Sequence, residues 1–342
     1  MMPILLNAGN SIESSGFIRT KLLPLLVILL MVAAVILLLA YLIKTINDKK
    51  KKELYLSDKP PLTYWGTAGL ISTYAILLFW AFIIIWPITQ MVISAFNGNQ
   101  LIYVSIGFEN YEFSFKHFKF LFEETGFVNW VFNTLFISIS TALLTVILVS
   151  FTGYVYSRFR FKGRKATLMS IMLIQTIPIF AGITAFFTLY ELVNDLIPVF
   201  TKHMMLILIY SAGGIAGNTF ILKGYLDSIS TELDDAGRID GCSNMEIYKL
   251  IIMPIAKPML AIIGLWSFIG PFMDFLLPRI LLSDIDALTL AAGLYTLVVD
   301  DRSFNQPAFV AGALLIAVPI VFMFIYLQKY LVSGLSKGSV KG

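Results

Sequence analysis

Residues 232–258 read ELDDAGRIDGCSNMEIYKLIIMPIAKP, a charged and glycine-punctuated stretch inside a chain that is otherwise strongly apolar. Of 342 residues, 58% are hydrophobic and 13% charged, and the mean hydropathy is +0.83. That composition lies outside the range of ordinary soluble domains and marks a membrane protein. The stretch is therefore a polar excursion from lipid, and its shape and sidedness decide what is built.

Its local signals alternate start and stop. Thr231 with Asp234 three residues on has the form of a capping box, and Leu233, Ala236, Gly237 and Asp240 fall on one helical face. Gly241 suits a left-handed stop, and Ser243 with Glu246 restarts a helix through Met245, Ile247, Tyr248, Leu250 and Ile251. Pro254 and Pro258 are expected to end or kink that second helix before the chain re-enters the bilayer. Small residues at Ala236 and Gly237 fit two readings. One is a docking element seated in a partner's groove, and the other is a hairpin packed under the chain's own helices.

Seven stretches offer the ~20 apolar residues that a spanning helix requires: 22–43, 72–95, 130–155, 167–190, 204–222, 257–281 and 308–331. Lys44, Lys49 to Lys52 and Lys59 follow the first, and Arg158, Arg160, Lys162, Arg164 and Lys165 follow the third, so both connections are cytoplasmic. The opposite connections hold more acid than base. With seven spans the amino terminus lies outside, the carboxyl terminus inside, and residues 232–258 face the cytoplasm. The first stretch reads as a retained anchor rather than a signal peptide, because its apolar run is long, lacks an A-x-A site and ends in lysines. Those lysines serve orientation or bind anionic lipid.

Other chemistries find little support. One cysteine, Cys242, forms no internal disulfide, and His117 and His203 lack companion ligands. A net charge of +4, with the basic residues at the ends of apolar segments, does not point to nucleic acid. No G-x-x-x-x-G-K-[ST] loop is present, since GGIAGNT at 213–219 lacks the lysine. An ion-coupled transporter would show paired ionisable groups near the bilayer midplane, and none is evident. Gln175, Thr176 and Asn218 are polar residues within apolar runs, suited to interhelical hydrogen bonds or to a pathway.

The spacing in the polar stretch resembles the EAA loop of permease subunits of binding-protein-dependent ABC importers. That pattern is Glu-Ala-Ala, three residues, Gly, nine residues, Ile, one residue, Leu-Pro. Here its register falls on Asp235, Ala236 and Gly237, then Gly241 after Asp240, then Ile251, Met253 and Pro254. Asp replaces Glu, Gly replaces the second Ala and Met replaces Leu. YSAGGIAGNTFILKGYLDSI before the loop, and LTLAAGLYTLV and the run from Gln306 to the end after it, resemble MalG-type permeases of carbohydrate importers, particularly maltose and maltodextrin systems.

The resemblance implies an all-α membrane protein with a six-helix ABC type I importer domain. The 22–43 span would be an extra amino-terminal helix, giving seven spans. Residues 1–63 then form that helix and a basic linker, and 64–129 the first core span and an extracellular loop. Residues 130–342 form the remaining transport domain, with the coupling loop at about 226–256. The implied partners are a MalF-like second permease, two ATPase subunits that bind ATP and Mg, and an extracellular sugar-binding protein, in a bacterial cytoplasmic membrane. No cofactor is implied on this chain. Asp235, Ala236, Gly237, Asp240, Gly241, Ile251, Met253 and Pro254 would couple to the ATPase. The tail Gly338, Ser339, Val340, Lys341 and Gly342 would reach between the ATPase subunits, although taken alone it reads as a disordered end. The 283–307 connection would enter the binding protein's cleft.

Overall fold

The computed structural model describes residues 64–99, 111–177, 182–299 and 304–338. The expected span at 22–43 and the basic linker after it lie outside the described residues. What is described is helical apart from loops and one antiparallel bridge between Asn97 and Phe113. The helices are α1 (Tyr64–Ala95), α2 (Lys116–Glu124), α3 (Phe127–Arg158), α4 (Arg164–Ile174), α5 (Ile183–Leu196) and α6 (Lys202–Asp227). There follow α7 (Glu232–Ile239), α8 (Asn244–Met273), α9 (Leu276–Leu281), α10 (Leu290–Val299) and α11 (Gln306–Gly338). Among the described residues five helices are long and apolar enough to cross a membrane, in α1, α3, α6, α8 and α11.

Two expected spans take a different form. The 167–190 stretch is α4 and α5, of 11 and 14 residues, rather than one helix. After α4 the chain turns at Gln175 and Thr176, whose hydroxyl donates to the Leu173 carbonyl at 2.7 Å, and Pro178 follows, a residue with no N–H for a helical ladder. The 257–281 stretch is displaced. α8 already begins at Asn244 and ends at Met273, where Asp274 leaves the helix in an extended conformation. The Asp274 carboxylate then accepts from the backbone N–H groups of Leu276 and Leu277 at 2.9 and 3.3 Å, starting α9.

The prolines also act differently from expectation. Pro254 and Pro258 lie inside α8, which runs from the polar stretch into the span without a break. Residues Ile247–Ile252 form a π-helical turn directly ahead of Pro254, with the Met253 N–H donating to the Tyr248 carbonyl, five residues back. A widened turn absorbs the missing donor and the ring's crowding of the preceding carbonyls, so the helix continues.

The chain divides into two compact units, Met1–Glu123 with Asn305–Leu314, and Glu124–Phe304 with Leu315–Gly342. In the first, the Phe96 ring packs against Phe113, Phe115 and Phe118. His117 is buried beside them with Nε2 2.7 Å from the Asn97 carbonyl, and burial holds its pKa below the usual value.

In the second unit α3 is the axis, with α6 and α8 packed along it. Small residues make the approach close. A Cβ on Gly153 would lie 2.8 Å from Leu222 Cδ2, one on Gly214 3.3 Å from Thr145, and one on Gly264 3.3 Å from Val146. The Thr152 and Thr219 hydroxyls, 2.8 Å apart, add a hydrogen bond between α3 and α6.

The first turns of α3 hold the chain between α9 and α10. Trp130 Nε1 donates to the Ile285 carbonyl at 2.7 Å, and Asn133 Nδ2 to the carbonyls of Asp286 and Leu288 at 2.9 and 3.1 Å. The Leu290 N–H donates to Thr134 Oγ1 at 2.7 Å. The 283–307 stretch, expected to be a polar connection, therefore contains a 10-residue apolar helix, α10, with Leu290, Ala292, Leu294 and Leu297 buried. Gly293 sits so close to Trp130 that a Cβ would collide with the ring.

Candidate functional site

The polar stretch forms a helix–turn–helix at the basic end of α3. At its start, Thr231 has helical angles, φ −69° and ψ −14°, and its side chain makes no cap. An N-cap needs an extended residue whose oxygen folds back over the first turn, and Thr231 is already inside the helical region. The hydroxyl of Ser230 accepts from the Glu232 N–H instead, at 3.2 Å.

The turn follows the local sequence closely. Gly241 has φ +84°, its N–H donates to Arg238 at 3.1 Å, and the Cys242 N–H donates to Gly237 at 2.9 Å. This pair of bonds is a Schellman motif, which satisfies carbonyls left open at the end of α7. Ser243 and Glu246 form the expected reciprocal box: the Ser243 N–H donates to Glu246 Oε2 at 2.7 Å, and the Glu246 N–H donates to Ser243 Oγ at 3.4 Å.

The face read from spacing splits. Leu233, Asp235, Ala236, Ile239 and Asp240 are exposed, Ile239 by 87%. Gly237 turns inward, where a Cβ would lie 2.8 Å from Ile251 Cδ1 and 3.1 Å from Ile247 Cγ1. Its smallness closes the hairpin on itself, while that of Ala236 leaves the outer surface low. Asp235 is solvated, and its Oδ1 accepts from Arg238 Nη1 at 2.8 Å. Ile251 and Met253 are half-buried against the core of the unit, and Pro254 is exposed. Gly338 is the last residue of α11, and residues 339–342 lie outside the described residues.

What fixes the hairpin to the spans was not visible in the sequence. The second arm is joined to α3 by Tyr248 Oη, 2.7 Å from Ser150 Oγ, and by Tyr154 Oη, which donates to the Asn244 carbonyl at 3.3 Å. Phe151 stacks on Tyr248 with ring centroids 4.8 Å apart. The first arm is held by charge. Arg158 Nε lies 2.7 Å from Asp234 Oδ2, with side chains only 5% and 4% exposed, in an ion pair whose alignment falls short of a hydrogen bond. The same guanidinium donates to the carbonyls of Leu226 at 3.1 Å and Ile229 at 3.2 Å. Burial raises the pKa of the Asp234 carboxyl, and the attraction of Arg158 only partly offsets it. Sequence reasoning assigned Arg158 to orientation and Asp234 to a cap. The available clue was that Asp234 precedes Gly237 by one helical step and so shares its inward face.

Of the polar residues within apolar runs, Gln175 lines a cavity. About 700 Å³ opens between α4, α5 and α6, lined by Ile174, Gln175, Phe186, Ile209, Gly213 and Ala216 among others. Gln175 Nε2 donates to the Gly213 carbonyl at 3.4 Å across it. Also on α6, Tyr210 Oη donates to Asp274 at 2.9 Å, which with the start of α9 accounts for that acid.

Apolar spanning helices that carry a capped helical hairpin on a basic end define a polytopic membrane protein with an ordered polar element outside its spans. The chain belongs to the family of binding-protein-dependent transport system inner membrane components, whose model matches residues 147–337. It is 40% identical over 272 residues to the maltodextrin transport system permease protein MdxG of Bacillus subtilis (strain 168), covering 80% of this chain and 96% of that protein. It is 41% identical over 277 residues to the galactooligosaccharides transport system permease protein GanQ of the same organism, with the same coverage. A bacterial ABC transporter involved in the import of the acidic polysaccharide alginate shares the fold, with a TM-score of 0.64 at 20% identity over 80% of this chain and 100% of that one. The chain is a multi-pass membrane permease subunit and not itself an enzyme.

Proposed function

We propose that this chain is one of two permease subunits of an ATP-driven importer that carries a maltodextrin-type carbohydrate into the cell. The observation that carries the reading is the helix–turn–helix of α7 and the start of α8, in the register Asp235, Ala236, Gly237, Gly241, Ile251, Met253 and Pro254, with the outer face of α7 exposed. Membership of the transport family and the names of the relatives support it.

The second permease is MalF-like and completes the pathway. Two ATPase subunits bind ATP and Mg below, and an extracellular sugar-binding protein delivers cargo above. The outer face of α7, with Asp235, Ala236 and Asp240, seats in an ATPase cleft, and the Schellman turn and capping box keep the element stiff enough to transmit movement. The tail 338–342 reaches toward the ATPase subunits, and part of 283–307 meets the binding protein. Six spans form the core and 22–43 adds a seventh, with the amino terminus outside.

A galacto-oligosaccharide is the second cargo reading, favoured by an identity of 41% to GanQ beside 40% to MdxG. Uptake of labelled maltodextrin into vesicles, with galacto-oligosaccharide as competitor, separates the two. Uptake is expected to require ATP and to survive collapse of the proton gradient; loss on collapse alone would sink the importer assignment. Gly241→Pro, which cannot take φ +84°, and Ala236→Trp, which raises the outer face, are expected to leave the protein in the membrane and abolish uptake. Normal uptake by both would remove the coupling role of α7.

A further inference from the structure

We propose that Arg158 is a positioning residue that ties α7 to the ends of α3 and α6, so that load on α7 moves both spans. The proposal rests on the coupling role assigned to α7 above. α7 has two kinds of attachment. Gly237 packs on Ile247 and Ile251, which keeps the load within the hairpin and passes it along α8. Asp234 meets Arg158, which leads out of the hairpin altogether.

One guanidinium joins three elements. It rises from the last residue of α3, faces the carboxylate of α7, and donates to Leu226 at the end of α6 and to Ile229 just beyond it. A cation suits the carbonyl end of a helix. Alongside, Ser157 Oγ donates to Asp227 Oδ1 at 2.7 Å, a second tie between α3 and α6 at the same level. Apolar side chains of similar volume would stabilise such a buried position as well or better. The charges therefore serve placement: a planar fork bonded to the Leu226 and Ile229 carbonyls holds the cation at one point, where the α7 carboxylate meets it, while an oily contact is free to slide.

The test uses the assembled transporter in proteoliposomes and three permease variants. Arg158→Lys keeps the charge and loses the fork. Asp234→Asn keeps the shape and loses the charge. Arg158→Met combined with Asp234→Leu replaces the pair by apolar volume. ATPase subunits co-purifying with the permease report assembly, and sugar transported per ATP hydrolysed reports coupling. Spin labels at Ile239→Cys and Phe161→Cys, in a Cys242→Ala background, report how firmly α7 is held.

The expected result is an assembled complex that still hydrolyses ATP, a transport-to-hydrolysis ratio lowered about tenfold, and a broadened label distance in all three variants. An unchanged ratio in an assembled variant overturns the proposal. So does a loss of transport and hydrolysis in equal proportion, or failure of all three to assemble, because either makes the pair a folding element only. If unaltered complex shows no ATP-dependent uptake, the functional reading falls instead, while a narrow label distance in every variant overturns the tie independently.

Discussion

α3 holds a connection at each end, by opposite chemistry. Its first turns grip the chain before α10 through Trp130, Asn133 and Thr134, neutral groups that all meet main-chain atoms. Its last turn grips α7 through one buried charge that meets one specific carboxylate. Neutral bonds to backbone tolerate change in the residues they hold, because every residue offers the same carbonyl. A buried ion pair does not: removing either partner strands the other in a place that cannot solvate it. The first end is a clamp that spreads its load, and the second is a single pin.

The contrast can be tested from its strongest side downward. Arg158→Ala leaves Asp234 buried without its counter-charge and is expected to cost about 3–5 kcal/mol, read as a lowered Tm of the solubilised complex and faster amide exchange in α7. Exchange in α10 should hardly change; an equal loss at both ends would dissolve the distinction. Gly293→Ala drives a methyl into the Trp130 ring and should cost about 1–3 kcal/mol, with exchange rising in α10 and not in α7. Asn133→Ala removes two neutral bonds at the clamp, and about 1 kcal/mol is expected, because Trp130 and Thr134 still hold. A drop comparable to that of Arg158→Ala would show that the clamp, too, hangs on one residue.

The smallest effect is on pH dependence. The Asp234 carboxyl has a raised pKa when folded, so the folded form takes up a proton at a pH where the unfolded chain has lost its own. Its contribution is fully present below the ordinary carboxylate range and is lost as pH rises through the raised value. The Tm of the solubilised complex, referenced to Asp234→Asn at each pH, should therefore rise as pH falls through that window. A flat difference between wild type and variant would show that the carboxyl titrates no differently when folded.

Much of this was legible in short-range sequence. Runs of apolar residues located α1, α3, α6 and α11, because crossing lipid demands length and composition and little else. The turn at Gly241 and the box at Ser243 were equally legible, since each is decided within a few residues. Thr231 shows the limit of that logic: the residue type was right for a cap, but its backbone was already helical. The 167–190 run is not one helix because the chain turns at Gln175 and Thr176, within a pattern that still averages as apolar. Asp274 lies inside the apolar 257–281 run, and its capping of α9 ends that span early. The pin itself joins residues 76 positions apart in sequence, 158 and 234. Charge can be read along a chain, whereas burial and partnership arise only when the helices pack. The inward turn of Gly237 was hidden for the same reason, because the surface it meets is Ile251, supplied by the other arm.

The π turn at Ile247–Ile252 carries one more consequence. The buried positions run Ile247, Tyr248, Ile252, Ala256 and Ile263, and the wide turn lies between the first two and the rest, with one residue more than an α-helical turn would hold. That extra residue sets the rotational phase between the hairpin arm and the span. Deleting a single residue there would let the helix tighten to a regular pitch, and everything ahead of it would turn by about 100°. Tyr248 would swing off Ser150, and α7 would arrive facing the wrong way with every one of its own residues intact.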